Sequence, residues 1–344
     1  MKLLVIRFSA LGDVAMTVPV IDSLARQYPD LSITMLSKGF VAPLFANMPQ
    51  NVQFKGVNLN DYKGLAGLYR LYKELKREHF DAIADVHDVL RTKVLRFFFS
   101  LSGIKIAHID KGRAEKKALC RAKGKQLVQL KTSFERYADA FQALGMPVKL
   151  QFHSVFGDQK GDTTLFEQLA KHTEQKRWIG IAPFATHKGK ILPTTTTKEV
   201  INKLLEDNRN HIFLFGGGKQ EIEQLQALAE GKPQVTVVAG KLKMAGELAL
   251  MSHLDVMVSM DSANMHLASL VGTPVVSIWG ATHPYAGFMG WGQSEDLAVQ
   301  TDLDCRPCSI FGNKPCLRGD YACLNSITAQ EITQKVKSLL PHEP

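Results

Sequence analysis

The sequence predicts an α/β protein with two doubly wound, Rossmann-like domains. The chain has 344 residues, which is too long for one small hydrophobic core. Short apolar runs of strand length alternate with amphipathic stretches of helix length, a pattern typical of parallel α/β structure. The alternation stops in residues 146–176, where Pro, Gly and mixed polarity are concentrated, and then starts again. We therefore place the first domain at residues 1–157 and the second at residues 158–344.

The first domain is predicted to alternate strands and helices along its whole length. Each predicted strand is a short apolar run, and each predicted helix has apolar residues at helical spacing. The last helix ends at Gly145, a residue type that commonly stops helices. The predicted strands are 3–8, 32–36, 52–57, 82–86 and 104–108, and the predicted helices are about 14–28, 65–78, 89–101 and 133–144.

The second domain repeats the pattern. Its last helix, about 328–340, has two possible positions, on the second domain or back on the first. In doubly wound sheets ligands bind at the carboxyl ends of the strands, so the residues directly after each strand are the candidate functional residues. The predicted strands are 178–182, 211–215, 235–238, 256–260 and 275–278, and the other predicted helices are about 195–207, 219–230, 244–252 and 263–271.

The hydropathy pattern indicates a cytoplasmic protein. No apolar run approaches the ~20 residues that a membrane-spanning helix needs. The first apolar run, residues 3–8, is too short for the core of a signal peptide.

The positive charge is concentrated in one segment. Residues 91–131 hold 12 Lys/Arg against 2 Asp/Glu, in a chain whose net charge is +9. Such a segment favours an anionic partner, namely a nucleic acid, a membrane surface or a phosphorylated substrate, although a solvated helix face is the alternative. Its aromatic residues are only Phe97 to Phe99, so we expect no nucleic-acid partner. The candidate contacts are Arg91, Lys93, Arg113, Lys116 and Lys117.

Two loops after predicted strands carry candidate catalytic and phosphate-binding residues. The loop "RFSALGDVAMTVP", residues 7–19, lacks G-x-G-x-x-G, which argues against a nicotinamide or flavin enzyme. Asp13 in this loop is either a plain helix cap or a general base. In "APFATHKGKILP", residues 182–193, the hydroxyl and ammonium groups suit phosphate oxygens, with a polar surface loop as the alternative. The residues concerned there are Thr186, Lys188 and Lys190.

Two further loops complete the candidate site. Gly216 in "LFGGGKQEIEQL" permits close backbone approach, and Glu221 either complements the helix dipole or holds a ribose diol. In "SMDSANMHLASLVGTPVVSIWG" a strand ends at Asp261, which suits sugar hydroxyls. The helix that follows exposes N–H groups suited to a pyrophosphate at its first residues. His266 in that helix is either an anion contact or a core residue. The first residues of the helix are Ser262, Ala263 and Asn264.

Four of the five cysteines lie within nineteen residues near the carboxyl terminus. Their spacing is compatible with a structural zinc site, with reduced thiols that pack a loop, or with a disulfide. These residues are Cys305, Cys308, Cys316 and Cys323.

Together these motifs resemble glycosyltransferase family 9, the bacterial ADP-heptose:lipopolysaccharide heptosyltransferases. The matches are "RFSALGDVAMTVP", K-x-x-P at residues 190–193, "SMDSANMHLASLVGTPVVSIWGATHP" and "CRPCSIFGNKPCLRGDYACL", and the resemblance runs from residue 1 to about 335. It implies the GT-B architecture, in which two Rossmann-like domains face each other across a cleft. It also implies inversion of the anomeric centre without a metal or other cofactor.

The resemblance also implies roles for individual residues. Asp13 matches the catalytic base, and Lys190 matches the lysine at the donor phosphates and sugar. Glu221 matches the ribose-binding glutamate, Asp261 the sugar-binding aspartate, and residues 262–264 the pyrophosphate nest. Gly240 and Leu242 lie where the adenine pocket should be. The sequence departs from the family in having Ser-Ala after Asp261 and Leu192 before Pro193, which leaves the donor sugar open.

The sequence supports three hypotheses of function. The first is inverting transfer of heptose from ADP-heptose to the lipopolysaccharide inner core, onto a phosphorylated glycolipid of the lipid A–Kdo type. The second keeps this fold but uses another nucleotide sugar for another cell-surface glycan. The third is a non-catalytic anion-binding protein. For the first we expect a monomer, cytoplasmic or peripheral at the inner face of the inner membrane.

Overall fold

The computed structural model describes residues 1–170 and 176–340, so residues 171–175 of the predicted boundary lie outside the described part. Contacts group the chain into two units. The first comprises Met1–Gly112 and Lys131–Val155, and the second comprises Arg113–Leu130 and the chain from Phe156 onward. The segment Arg113–Leu130 therefore packs with the second unit although it precedes the predicted boundary.

The first unit is built on a five-stranded parallel sheet of order β3-β2-β1-β4-β5. The central strand β1 is buried from its second residue onward because β2 and β4 flank it on both edges. The strands are Lys2–Ile6 (β1), Ser32–Lys38 (β2), Val52–Val57 (β3), Ala82–Asp85 (β4) and Lys105–His108 (β5).

Helices cover this sheet and close its core. Apolar residues of α3 and α4, such as Leu71, Leu75 and Leu95, form one cluster with Leu4 and Ile6 of β1. The helices of this part of the chain are Leu11–Ala15 (α1), Thr17–Gln27 (α2), Gly64–Lys76 (α3), Leu90–Ser100 (α4), Arg113–Leu119 (α5) and Ser133–Gln142 (α6), of which α5 groups with the second unit.

The second unit is built on a six-stranded parallel sheet of order β11-β10-β9-β6-β7-β8. The strands are Arg177–Ala182 (β6), Asn210–Leu214 (β7), Val235–Val237 (β8), Val256–Met260 (β9), Val275–Trp279 (β10) and Ala298–Gln300 (β11). The helices are Thr194–Leu204 (α7), Lys219–Ala229 (α8), Met244–Ser252 (α9), Ala263–Leu270 (α10), Ala322–Asn325 (α11) and Ala329–Leu339 (α12).

The last helix, α12, packs within the second unit. It lies against α7, β9 and β10, and Ile332 and Val336 are fully buried in the same apolar cluster as those elements. The alternative position, back on the first domain, is therefore not the one that this helix adopts.

The prediction of two successive doubly wound halves is confirmed. Four local features differ from the prediction. The helix expected at 14–28 is divided at Met16 into α1 and α2, and α5, α11 and β11 were not predicted. Among the described residues, no helix combines the length and apolar character that crossing a membrane requires.

Candidate functional site

The strand order of the second sheet reverses between two central strands, β6 and β9. From β6 the sheet continues to β7 and β8, whereas β9 leads to β10 and β11 on the other side. Such a switch point opens a crevice at the carboxyl ends of the strands, where ligands bind in doubly wound folds. The loop after β6 carries Lys190, and the residue directly after β9 is Asp261. The structure therefore brings two of the predicted site residues to the switch point.

Lys190 and Asp261 are in direct contact there. The Lys190 Nζ lies 3.1 Å from Asp261 Oδ2, and the two side chains are only 15% and 6% exposed. The approach is off the line of a hydrogen bond, because Oδ2 accepts none from any described residue. The aliphatic stem of Lys190 packs on Gly312, where a Cβ would come within 2.5 Å of Lys190 Cγ. The pair is thus a charged contact at the switch point that lies largely out of water.

The N-terminus of α10 adjoins this pair. Its cap residue, Ser262, makes no side-chain hydrogen bond to the first turn, and its Oγ lies 3.3 Å from Ser259 Oγ instead. The backbone N–H groups of Ala263 and Asn264 are therefore not capped by Ser262, and a helix N-terminus of this kind attracts anions. His266, one turn further, is buried, which favours its interpretation as a core residue.

The other two predicted residues of the loop after β6 are exposed. Thr186 lies at its surface, and the Lys188 ammonium sits 5.1 Å from the centre of the Tyr321 ring. Ala281 donates a hydrogen bond to the carbonyl of Gly189 at 2.8 Å, which fixes the loop against the end of β10. The structure therefore holds Lys190 rigidly and leaves the two preceding polar side chains at the surface.

The remaining donor candidates form a second cluster at the ends of β7 and β8. Glu221 accepts a hydrogen bond from the N–H of Gly217 at 2.8 Å, so the carboxylate closes its own glycine loop. Gly216 lies in that loop, and Gly240 approaches Ile222 of α8 so closely that a Cβ would come within 2.9 Å. Leu242, half-buried, follows β8 in the same turn as Gly240. One oxygen of Glu221 therefore has a structural role within its own loop.

In the first unit, the strand order reverses between β1 and β4, and Asp13 follows β1. The Arg7 guanidinium contacts Asp13 Oδ1 at 2.9 Å, and the N–H of Ala10 donates to Oδ2 at 3.1 Å. Arg7 is itself buried and also donates a hydrogen bond to the carbonyl of Val86 after β4. Arg7 therefore orients the Asp13 carboxylate and joins the two loops at the switch point.

Two more residues at this position were missed by the sequence analysis. His87 is buried and contacts the N–H of Phe8 and the hydroxyl of Ser9, at 3.4 and 3.3 Å. Burial, together with the charge of Arg7, lowers the pKa of His87 to about 4, so the ring is neutral at physiological pH. Tyr137 of α6 donates a hydrogen bond to the Asp13 carbonyl at 3.3 Å, and burial raises the pKa of its hydroxyl above its ordinary value.

A cavity of about 550 Å³ opens beside these loops. A second, more polar cavity of about 710 Å³ shares Lys38, Leu59 and Arg91 with the first and adds Lys63. Lys38 and Lys63 were not predicted, because they lie outside the basic segment. The first cavity is lined by Phe8, Ser9, Lys38, Leu59, Tyr62, Gly64, Leu65, Leu68, His87, Val89, Leu90, Arg91 and Val94.

The five predicted acceptor contacts are not on one surface element. Arg91 and Lys93 lie on α4 of the first unit, whereas Arg113, Lys116 and Lys117 lie on α5, which groups with the second unit. Lys93 Nζ is 3.7 Å from Asp88 Oδ1, and Lys116 Nζ lies 4.5 Å from the centre of the Phe288 ring. The five predicted contacts are therefore divided between the two units.

The four clustered cysteines border one small cavity and form no disulfide. Burial raises the pKa of Cys308, and it raises that of Cys323 to about 11, so these two thiols are protonated at neutral pH. Arg306, between Cys305 and Cys308 in sequence, is buried and donates to the carbonyls of Gly280 and Thr282 at 2.6 and 2.9 Å. Within 1–170 and 176–340, no three His, Cys, Asp or Glu residues are grouped as metal ligands.

The two doubly wound units, each built on a parallel sheet with a switch point, are typical of the GT-B class of glycosyltransferases. The chain is similar in fold to the solved structure of E. coli ADP-heptose LPS heptosyltransferase II, with a TM-score of 0.73 at 18% sequence identity over 98% of each chain. The sequence model of glycosyltransferase family 9 (heptosyltransferase) matches residues 68–314. The chain belongs to this family, which confirms the resemblance inferred from its motifs.

Relatives with assigned names support the same family. The chain is 25% identical over 278 residues to lipopolysaccharide heptosyltransferase 3 of Escherichia coli, covering 79% of this chain and 81% of that protein. It is 28% identical over 304 residues to lipooligosaccharide heptosyltransferase 2 of Haemophilus influenzae, covering 83% and 84%.

Proposed function

We propose that the protein transfers heptose from ADP-heptose to the lipopolysaccharide inner core, with inversion at the anomeric carbon. The observation that carries this proposal is the contact between Lys190 and Asp261 at the switch point, beside the uncapped N-terminus of α10. Family membership and the names of the relatives, which act on lipopolysaccharide or lipooligosaccharide, support the choice of sugar and acceptor.

The second unit is proposed to bind the donor. The pyrophosphate would accept hydrogen bonds from the backbone of residues 262–264, and the ammonium of Lys190 would contact the same oxygens. Asp261 would accept hydrogen bonds from sugar hydroxyls through its carboxylate, which lies at the switch point beside Lys190. Gly240 and Leu242 would contact the adenine, and Glu221 the ribose through its second oxygen.

Asp13 is the proposed general base. It takes the proton from an acceptor hydroxyl, whose oxygen forms the new bond to the anomeric carbon as the bond to the ADP oxygen breaks. The electron pair of that bond leaves with ADP, so negative charge grows on the pyrophosphate. Lys190 and the α10 N-terminus would stabilise this charge, a form of electrostatic catalysis that commonly contributes much of the rate. These two groups supply the positive charge for a reaction that proceeds without a metal ion.

The acceptor is proposed to be a phosphorylated glycolipid of the lipid A–Kdo type at the inner face of the inner membrane. Lys38, Lys63 and Arg91 line the two cavities of the first unit, and their positive charges suit acceptor phosphates and carboxylates. Ser9 lines the same space as Lys38 and Arg91 and follows β1, as Asp13 does. The other predicted contacts, Lys93, Arg113, Lys116 and Lys117, remain proposed contacts of the same acceptor.

A transfer assay with ADP-heptose and a Kdo–lipid A acceptor tests the proposal. The purified protein should form a heptosylated product of inverted anomeric configuration, measured by mass spectrometry and NMR, and chelator should leave the rate unchanged. Asp13→Asn should lower kcat by about 10²–10⁴-fold, the range typical of lost general-base catalysis, with donor binding retained. Asp30→Asn, an exposed aspartate in the same unit, is the matched control. Transfer of a different sugar, or full activity in Asp13→Asn, would contradict the proposal.

A further inference from the structure

An apolar stripe runs along the exposed side of α4. Leu90, Phe97 and Leu101 are 79%, 59% and 72% exposed, although large apolar side chains of this kind are normally buried or scattered singly. Together with the half-buried Val94 they follow the spacing i, i+4, i+7, i+11, which places them on one helix face. The opposite face of α4 supplies Leu95 and Phe99 to the core. Leu90, Phe97 and Leu101 are therefore surplus to the packing of the unit.

The neighbouring helix α3 widens this stripe into a continuous surface. Leu65 and Tyr69, one turn apart on α3, are 65% and 44% exposed. Phe98 bridges the two helices, since its ring centre lies 5.2 Å from that of Tyr69 and 5.9 Å from that of Phe97. We define the α3–α4 face as Leu65, Tyr69, Leu90, Val94, Phe97 and Leu101.

Positive charge adjoins this face. Lys73 lies one turn beyond Tyr69, with its Nζ 5.3 Å from the centre of that ring, and Lys76 is similarly placed over Tyr72 at 5.7 Å. The nearby acid Glu74 is engaged, because it accepts the hydrogen bond of the Tyr62 hydroxyl at 2.6 Å. An exposed apolar surface bordered by lysines matches the chemistry of an anionic bilayer, which offers acyl chains and phosphate groups together.

The face is also continuous with the cavity of about 550 Å³ described above. Leu65, Leu90 and Val94 line the cavity at one end, and Ser9 and His87 line it next to the loop of Asp13. A molecule with a polar head and an apolar tail could therefore extend from the polar loops to the exposed helices.

We propose that the α3–α4 face docks on an anionic lipid bilayer and so presents the cavity to a membrane-held acceptor. This inference rests on the proposed function for the nature of the acceptor. The docking surface itself is defined by exposure and charge alone and does not depend on the proposed function.

Vesicle flotation tests the docking surface. The whole protein is floated with vesicles of phosphatidylethanolamine and phosphatidylglycerol, and with phosphatidylcholine vesicles as the neutral comparison. The wild type should bind the anionic vesicles, and the double substitution Phe97→Ser with Leu101→Ser should weaken binding at least 10-fold. Lys73→Glu with Lys76→Glu should do the same and remove most of the salt dependence. Leu127→Ser with Val128→Ser, two exposed apolar residues off this face, is the matched control and should bind normally.

Three readouts make the result decisive. Circular dichroism should show that the variants fold, as expected for exposed positions. Transfer to a water-soluble, deacylated acceptor should be unchanged in Phe97→Ser with Leu101→Ser, so that loss of vesicle binding is separable from failure of the proposed reaction. Unchanged vesicle binding in that variant would overturn the proposal. So would a wild-type oligomer that the same substitutions dissociate, because the face would then be an interface between copies of this chain.

Discussion

Asp13 has both carboxylate oxygens engaged in the free protein, one by the Arg7 guanidinium and the other by the N–H of Ala10. A base held in this way keeps one orientation, and His87 beside it is neutral because burial and the charge of Arg7 lower its pKa to about 4. Arg7 is therefore a positioning residue, and Asp13 remains the group proposed to accept the proton.

The position of the Lys190 side chain depends on Gly312, a residue to which we assign no contact with substrate. Gly312→Ala would place a Cβ within 2.5 Å of Lys190 Cγ, so the ammonium would shift and the donor Kd should rise about 10-fold, as expected for loss of one charged hydrogen bond. Gly319→Ala is the matched control, since Gly319 also has a positive φ (+81° against +72°) but nothing lies near its Cβ position. Equal donor affinities in the two variants, measured calorimetrically, would show that Gly312 does not position the lysine.

Glu247 in α9 gives the protein a predicted pH dependence of stability. Burial raises its pKa from 4.5 to about 7, so the native state binds a proton more tightly than the unfolded state does. The resulting stabilisation is complete below pH 4.5 and is lost as the pH rises through 7. Glu247→Gln should therefore be the more stable protein at pH 8, by about 2–3 kcal/mol relative to the difference at pH 4.5. Urea unfolding at the two pH values measures this, and parallel behaviour of both proteins would refute it.

At the scale of elements, an ion cluster fixes α4 to the end of β4. Arg96 contacts Asp85 at 3.2 Å and Asp88 at 2.9 Å, and Asp85 accepts hydrogen bonds from the N–H groups of His87 and Asp88. One arginine of the basic segment is thus structural. The loop that carries His87 and the helix that carries the exposed apolar stripe are held in one arrangement.

Removing Arg96 from this ion cluster should lower the free energy of unfolding. Arg96→Met leaves the fully buried Asp85 without its counter-charge, and removal of one partner of a buried pair typically costs about 3–5 kcal/mol. The free energy of unfolding from urea titration should fall by that amount, whereas Lys105→Met, at an exposed position of β5, should change it little. A loss below 1 kcal/mol would show that the cluster does not hold α4.

At the scale of the whole molecule, the fold and part of the site were predictable from the sequence. Parallel strands and helices leave a local periodic signal in the sequence. Asp13, Lys190 and Asp261 could be placed at the switch points because each follows a strand whose end lies at a ligand crevice. The contact of Asp13 with Tyr137 was not predictable, because it depends on a helix more than 120 residues away. The grouping of α5 with the second unit was also not predictable, since charge runs report sequence proximity and not tertiary contacts.

Calorimetric titration of the purified protein with ADP-heptose, UDP-glucose and GDP-mannose, without added metal, tests directly whether the protein binds ADP-heptose as its donor. We expect selective binding of ADP-heptose. In Asp261→Asn the Kd should be at least 10-fold higher, because the sugar loses a charged hydrogen-bond acceptor. Tighter binding of another nucleotide sugar, or binding of ADP-heptose that is indifferent to Asp261, would contradict it.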